Sequence, residues 1–186
     1  VAPAGAAFDF AAASRRLRQR DPATENARRV GPVGTSTNPV RAAVFGDSTA
    51  LMLALGLGGG DPRVQSSGGG VAIGCTFGRG GSVRGNAAIG DDATSTPYQP
   101  IALCDWETNW PATLRGTGPL DVGVLMMGSW DISGRNVPAL GNRWLVIGDP
   151  TYDAWLRDEM EHAVDLLHAR GVAQVLWFTL PPEAGR

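Results

Sequence analysis

A three-layer α/β fold, with helices on both faces of a parallel sheet, is the architecture this 186-residue sequence predicts. Three stretches carry the expectation. The apolar run Ala42-Ala43-Val44-Phe45 breaks at Gly46-Asp47-Ser48 and resumes from Ala50 to Leu57, the order of a short buried strand, a tight turn and a helix. Asp121 to Gly128 reads as a second buried strand. Tyr152 to Arg170 sets Leu156, Met160, Ala163, Val164 and Leu167 on one helical face, and a strand-like run, Val172 to Leu180, follows at once. Strand and helix in alternation argue for parallel strands covered on both sides. Such sheets bind ligands beyond the carboxyl ends of their strands, where Ser48, Trp130 and Pro181 all come.

The length suits one domain with an appendage. Net charge is −2 and the charges are mixed, so no nucleic-acid partner and no anionic membrane surface is expected. No apolar stretch reaches the roughly 18 residues needed to span a bilayer. Val1 begins without a charged leader, so any targeting segment is expected to lie outside these residues. Glycine, at 26 of 186 residues, is about twice its usual share of roughly 7%, and much of the chain is therefore expected in loops.

Residues 1–39 read as an entry segment and residues 40–186 as the domain. Ala6 to Gln19 has Phe8, Phe10, Ala11, Ala13 and Leu17 loosely on one side of a candidate helix, with Arg15, Arg16, Arg18 and Arg20 as a solvated face. Gly31 to Pro39 reads as an irregular connector.

Gly46 permits the sharp turn after the first strand, because it reaches backbone angles that a side chain forbids. Ser48 then stands at the amino end of a helix, where free N–H groups and the positive dipole end favour negative charge on a ligand. A serine that attacks an ester needs that setting. The plainer alternative is that Asp47 or Ser48 only caps the helix.

Arg63 to Ser66 is weakly strand-like. The glycine-rich run Ser67 to Gly74 follows without a phosphate-loop signature, and the chain contains no lysine. Cys75 and Cys104 are the two cysteines. They are either two buried thiols or a disulfide closing a polar, glycine-rich loop of about 30 residues, worth on the order of 3 kcal/mol. A bonded pair implies an oxidising compartment. Without histidines or further cysteines at ligand spacing they make a poor zinc site, and no metal or cofactor is expected.

The run VFGDSTALML resembles the first block of the SGNH or GDSL hydrolases, in which the serine of a strand-end Gly-Asp-Ser is the nucleophile. The resemblance implies that Ser48 attacks and that a second-block glycine lends its N–H to the oxyanion. Gly74, beside Cys75, is the match for that glycine, with Gly70 as the fallback. The succession Gly74-Cys75, Cys104-Asp105-Trp106 and Gly128-Ser129-Trp130-Asp131 is similar to the SGNH domain fused to integral-membrane acyltransferase-3 proteins, which modify envelope glycans and glycolipids. It covers about residues 41–182. Trp130 stands where most of the superfamily has an asparagine, as an indole donor or a wall of the acyl pocket. Asp131 is a pocket acid or a cap, and Asp47 completes the expected pocket.

The family carries its catalytic histidine in a late D-x-x-H, after one more strand. The one such spelling here, Asp165 to His168, falls inside the helix and before the last visible strand, so neither His162 nor His168 is read as the base. The domain is therefore expected to lack its last segment, with the base outside these residues. The implied function is acyl transfer or ester hydrolysis through an acyl-serine on an envelope carbohydrate or lipid. The implied partner is a membrane acyltransferase domain on the same polypeptide, and the implied location is extracytoplasmic. The other reading is a non-catalytic module of the same fold that binds glycan or a partner domain.

Overall fold

The structure is a computed structural model and describes residues 34–57, 60–84 and 96–179. The candidate helix at Ala6 to Gln19 and the prolines at 181 and 182 lie outside the described residues. The main sheet has four strands: β1 (Val40–Gly46), β2 (Val64–Val71), β4 (Leu120–Met126) and β7 (Val172–Trp177). They run in the order β2-β1-β4-β7, and every pairing is parallel. Three helices accompany them among the described residues: α1 (Ser48–Leu57), α2 (Trp106–Leu114) and α3 (Pro150–Ala169).

Two apolar clusters, one on each face of the sheet, make the three layers. Leu53, Ala54 and Leu57 of α1 pack with Ala42, Val44, Val122 and Val124. Trp106, Trp110 and Leu114 of α2 and Tyr152, Leu156, Ala163 and Leu167 of α3 pack with Ala43, Phe45 and Leu125. Alternate residues of β1 thus enter opposite layers, so the strand is apolar without interruption rather than alternating. Leu176 of β7 and Phe178 just after it remain 47% and 45% exposed.

The first strand, the first helix, the strand before Gly128 and the long helix lie where the sequence puts them. Four features differ. The glycine-rich run is not all loop, because β2 continues through Gly68, Gly69 and Gly70. A Cβ at Gly69 would overlap the Val44 carbonyl and one at Gly70 the Trp110 indole, so glycine is what lets β2 lie against both. Helix α2 was not anticipated, and it contains Pro111. A second, antiparallel sheet of three short strands, β3 (Ser82–Arg84), β5 (Gly134–Asn136) and β6 (Trp144–Leu145), lies outside the main one. The last main strand also stops at Trp177, short of the expected Leu180, although Phe178 N–H still reaches the Leu125 carbonyl.

Helix α3 is capped by Asp149, whose carboxylate accepts from the N–H groups of Thr151 and Tyr152, and Pro150 occupies its first turn. No helix among the described residues is long and apolar enough to cross a membrane.

Gly46 has φ +142°, and a Cβ there would collide with the Met126 carbonyl across the β1–β4 boundary. Gly46→Ala is expected to destabilise the domain by at least about 2 kcal/mol in urea unfolding, the sum of backbone strain and overlap with a rigid neighbour. An unchanged midpoint would show that this corner has room to move.

Candidate functional site at the carboxyl ends of the strands

Ser48 follows β1 and opens α1. The helix cap, however, is Asp47. Its Oδ1 accepts from the Thr49 N–H at 2.9 Å and from the Thr49 hydroxyl. Its Oδ2 accepts from the Ser129 hydroxyl at 2.8 Å. The Asp47 side chain is fully buried, whereas Ser48 is part-exposed, and the Ser48 hydroxyl makes no hydrogen bond among the described residues. Of the two capping alternatives left open by the sequence, the structure takes Asp47.

Gly74 lies beyond β2 with φ +74°, and a Cβ there would meet nothing within 4 Å. One hydrogen bond, from the Ala72 N–H to the Gly46 carbonyl at 3.0 Å, sits two residues before both Gly74 and Ser48. Neither the Gly74 nor the Ser48 N–H has a backbone partner among the described residues. Gly70, the fallback, is inside β2 against Trp110. Trp130 is part-buried on the loop after β4, next to Ser129, and its indole N–H is unbonded among the described residues.

Asp131 is buried and caps no helix. Its Oδ2 accepts from the Phe77 N–H at 2.8 Å and its Oδ1 from the Gly78 N–H at 3.0 Å, while the Tyr152 hydroxyl donates to its backbone carbonyl at 3.1 Å. The carboxylate thus ties the loop after β4 to the loop after β2. Arg135, buried on β5, donates to the Thr76 hydroxyl and the Gly80 carbonyl, both at 2.7 Å, and steadies the same loop from its other side. Burial pushes the Asp131 carboxyl above its usual range, opposed by the two N–H groups and by the Arg135 charge, and burial lowers the pKa of Arg135. Ser129, Thr76 and Arg135 were not singled out in the sequence. Their contacts across the site span 55 to 82 positions, and no local spacing reports them.

Cys75 and Cys104 form a disulfide with Cα atoms 5.0 Å apart. It fastens the loop after β2 to the single 3₁₀ turn (Ala102–Cys104) that leads into α2. Between Gly46, the end of β2, the disulfide and α2 lies an apolar cavity of about 180 Å³. A second, polar cleft of about 380 Å³ lies on the other side of Cys104, lined by Arg79, Gln99, Asp105, Glu107 and Arg135 among others.

Both histidines are engaged away from Ser48. His168 Nδ1 lies 2.9 Å from the carbonyl of Val172, the first residue of β7, at the amino ends of the strands. Ser48 is at their carboxyl ends, about 20 Å away for strands of this length. His162 Nε2 lies 3.0 Å from Glu107 Oε1 on α2. Glu107 and Glu159 also bind Arg79, which stacks over Trp106.

Comparison with known proteins returns no matching family model, no matching curated protein and no matching solved structure.

Two measurements test this geometry. The intact mass should be two hydrogens below that of the dithiol, and reduction should lower stability by about 3–4 kcal/mol for a 29-residue separation. Two alkylatable thiols in the native protein would contradict the bond. The raised Asp131 pKa means that the folded state holds that proton more tightly than the unfolded chain. Its contribution therefore favours folding at acid pH and is lost as pH rises through the raised value. The Phe77 and Gly78 amide resonances should titrate with a midpoint above about 4, the ordinary aspartate value, and should stop titrating in Asp131→Asn. A midpoint at or below 4 would mean that the two N–H groups and Arg135 outweigh burial.

Proposed function

We propose that this domain performs acyl transfer or ester hydrolysis through an acyl-Ser48 intermediate, on a carbohydrate or lipid of the cell envelope. The observation that carries the reading is the division of labour at the strand end. Asp47 takes the capping role with one oxygen and holds Ser129 with the other, and the Ser48 hydroxyl is left part-exposed and without a partner among the described residues at the amino end of α1. The reading also draws on the order of short motifs that resembles the SGNH domain of acyltransferase-3 proteins.

In this mechanism Ser48 Oγ attacks the acyl carbonyl and its proton passes to a base. The N–H groups of Ser48 and Gly74 receive the oxyanion, with the Trp130 indole N–H as a further donor. Collapse of the tetrahedral intermediate expels the leaving alcohol, and a second hydroxyl or water releases the acyl group. Asp47 holds the turn that aims Ser48, and Asp131 holds the loop that carries Gly74. The resemblance puts the base, a histidine, outside these residues and a membrane acyltransferase domain on the same polypeptide as the partner. The disulfide supports an extracytoplasmic location.

A second reading has its own observation. No described histidine reaches Ser48, which is what a non-catalytic module of this fold, binding glycan or a partner domain, would also present.

Serine needs an adjacent base, so residues 1–186 alone should hydrolyse esters slowly or not at all. Oxyanion donors without a base leave catalysis of order ~10³ over water in related triads. A longer protein that includes the chain after Arg186 should be active and should add one fluorophosphonate adduct, located on Ser48 by mass spectrometry. Ser48→Ala should abolish both. Full activity in Ser48→Ala ends the nucleophile assignment. An inert longer protein with saturable glycan binding establishes the module instead.

A further inference from the structure

The apolar cavity beside Gly46 is unused by the geometry described so far. It is lined by Gly46, Gly69, Gly70 and Ala72, by Trp106 and Trp110 of α2, by Met127 and the disulfide, and by the polar side chains of Asn109 and Thr113. Gly46 is two residues before Ser48, so their Cα atoms are no more than about 7 Å apart. Ser48 does not itself line the cavity, and an acyl group on its oxygen would enter past Gly46. The cavity lies at the strand ends, where parallel α/β sheets place their ligands. The lining carries no ionisable side chain, which disfavours a charged occupant.

We propose that this cavity binds an uncharged aliphatic chain. Its service as the acyl pocket of Ser48 rests on the nucleophile reading above. Trp110 forms its floor, being packed against Phe45 at 5.2 Å between ring centroids and therefore fixed in place. Ala72 stands at its edge, where a larger side chain takes the space of the occupant.

The test uses this chain labelled with ¹⁵N at its six tryptophan indoles, titrated with 1-hexanol. Hexanol should produce saturable shifts of the Trp106 and Trp110 signals and leave Trp144, on the small antiparallel sheet, in place. Ala72→Leu should remove the hexanol response with the other indole signals unchanged, and Ser48→Ala should retain it. If Trp106 and Trp110 do not respond, or if Ala72→Leu responds as the parent does, the cavity is not a binding site. Saturable hexanol binding together with no fluorophosphonate labelling of the longer protein removes the nucleophile and keeps the cavity as an aliphatic site. Labelling rates that do not change between ethyl and decyl phosphonates remove the cavity from acyl recognition and leave Ser48 standing.

Discussion

The two oxygens of Asp47 face different partners, and the carboxyl end of the sheet depends on that arrangement. One oxygen closes the first turn of α1, and the other anchors the loop after β4 through Ser129. A charge-assisted hydrogen bond of this kind is stronger than a neutral one, and here it is shielded from water. From Ser129 the connection passes to Asp131, two residues on, and through its carboxylate to Phe77 and Gly78. The disulfide then carries it from Cys75 to the start of α2. Three loops that would otherwise move independently are joined in series through side chains projecting from strand ends. A removal anywhere along that series is felt at the turn bearing Ser48.

The series has a chemical logic as well as a mechanical one. Asp131 and Arg135 are both buried, and burying either alone would be prohibitive. Their opposite charges, the N–H groups of Phe77 and Gly78, and the acceptors Thr76 and Gly80 offset that cost, while Arg135 Nε has no partner among the described residues. The loop after β2 has few apolar anchors besides Phe77, which stacks on Trp177 at 4.7 Å between centroids. It holds its shape through this polar pair and the disulfide.

Much of the fold was legible before any coordinates. β1 and α1 stand out because two apolar runs flank Gly-Asp-Ser, and α3 because its apolar period continues for five turns between Asp149 and Gly171. Helix α2 was hidden by Pro111, although Trp106, Trp110 and Leu114 repeat at four-residue steps and all fall buried. The glycines of β2 looked like loop because glycine weakens strands in general. They are tolerated because backbone contacts with Val44 and Trp110 leave no room for a side chain. Strands of two and three residues carry no readable period, so the antiparallel sheet was out of reach. At the candidate site, Ser48 could be singled out from its neighbours in sequence. Choosing between Asp47 and Ser48 as the cap required seeing which side chain accepts from the Thr49 N–H, and the second hold on Asp47, from Ser129, comes from 82 positions away.

The order of strands in the main sheet also governs how the chain reaches this state. β1 lies at the centre, yet both of its neighbours come later, and Ala42 meets its β4 partner, Val122, only 80 positions on. No hairpin in that sheet can form early, since every pairing waits for a crossover. At about 5–20 residues per second, a ribosome takes on the order of 4–16 s to make the intervening chain. For that interval Ala42 to Phe45 has emerged without the strand that will cover one of its edges. The most deeply buried segment of the finished domain is therefore the one most exposed to chaperones, and to mispairing, while the protein is being made.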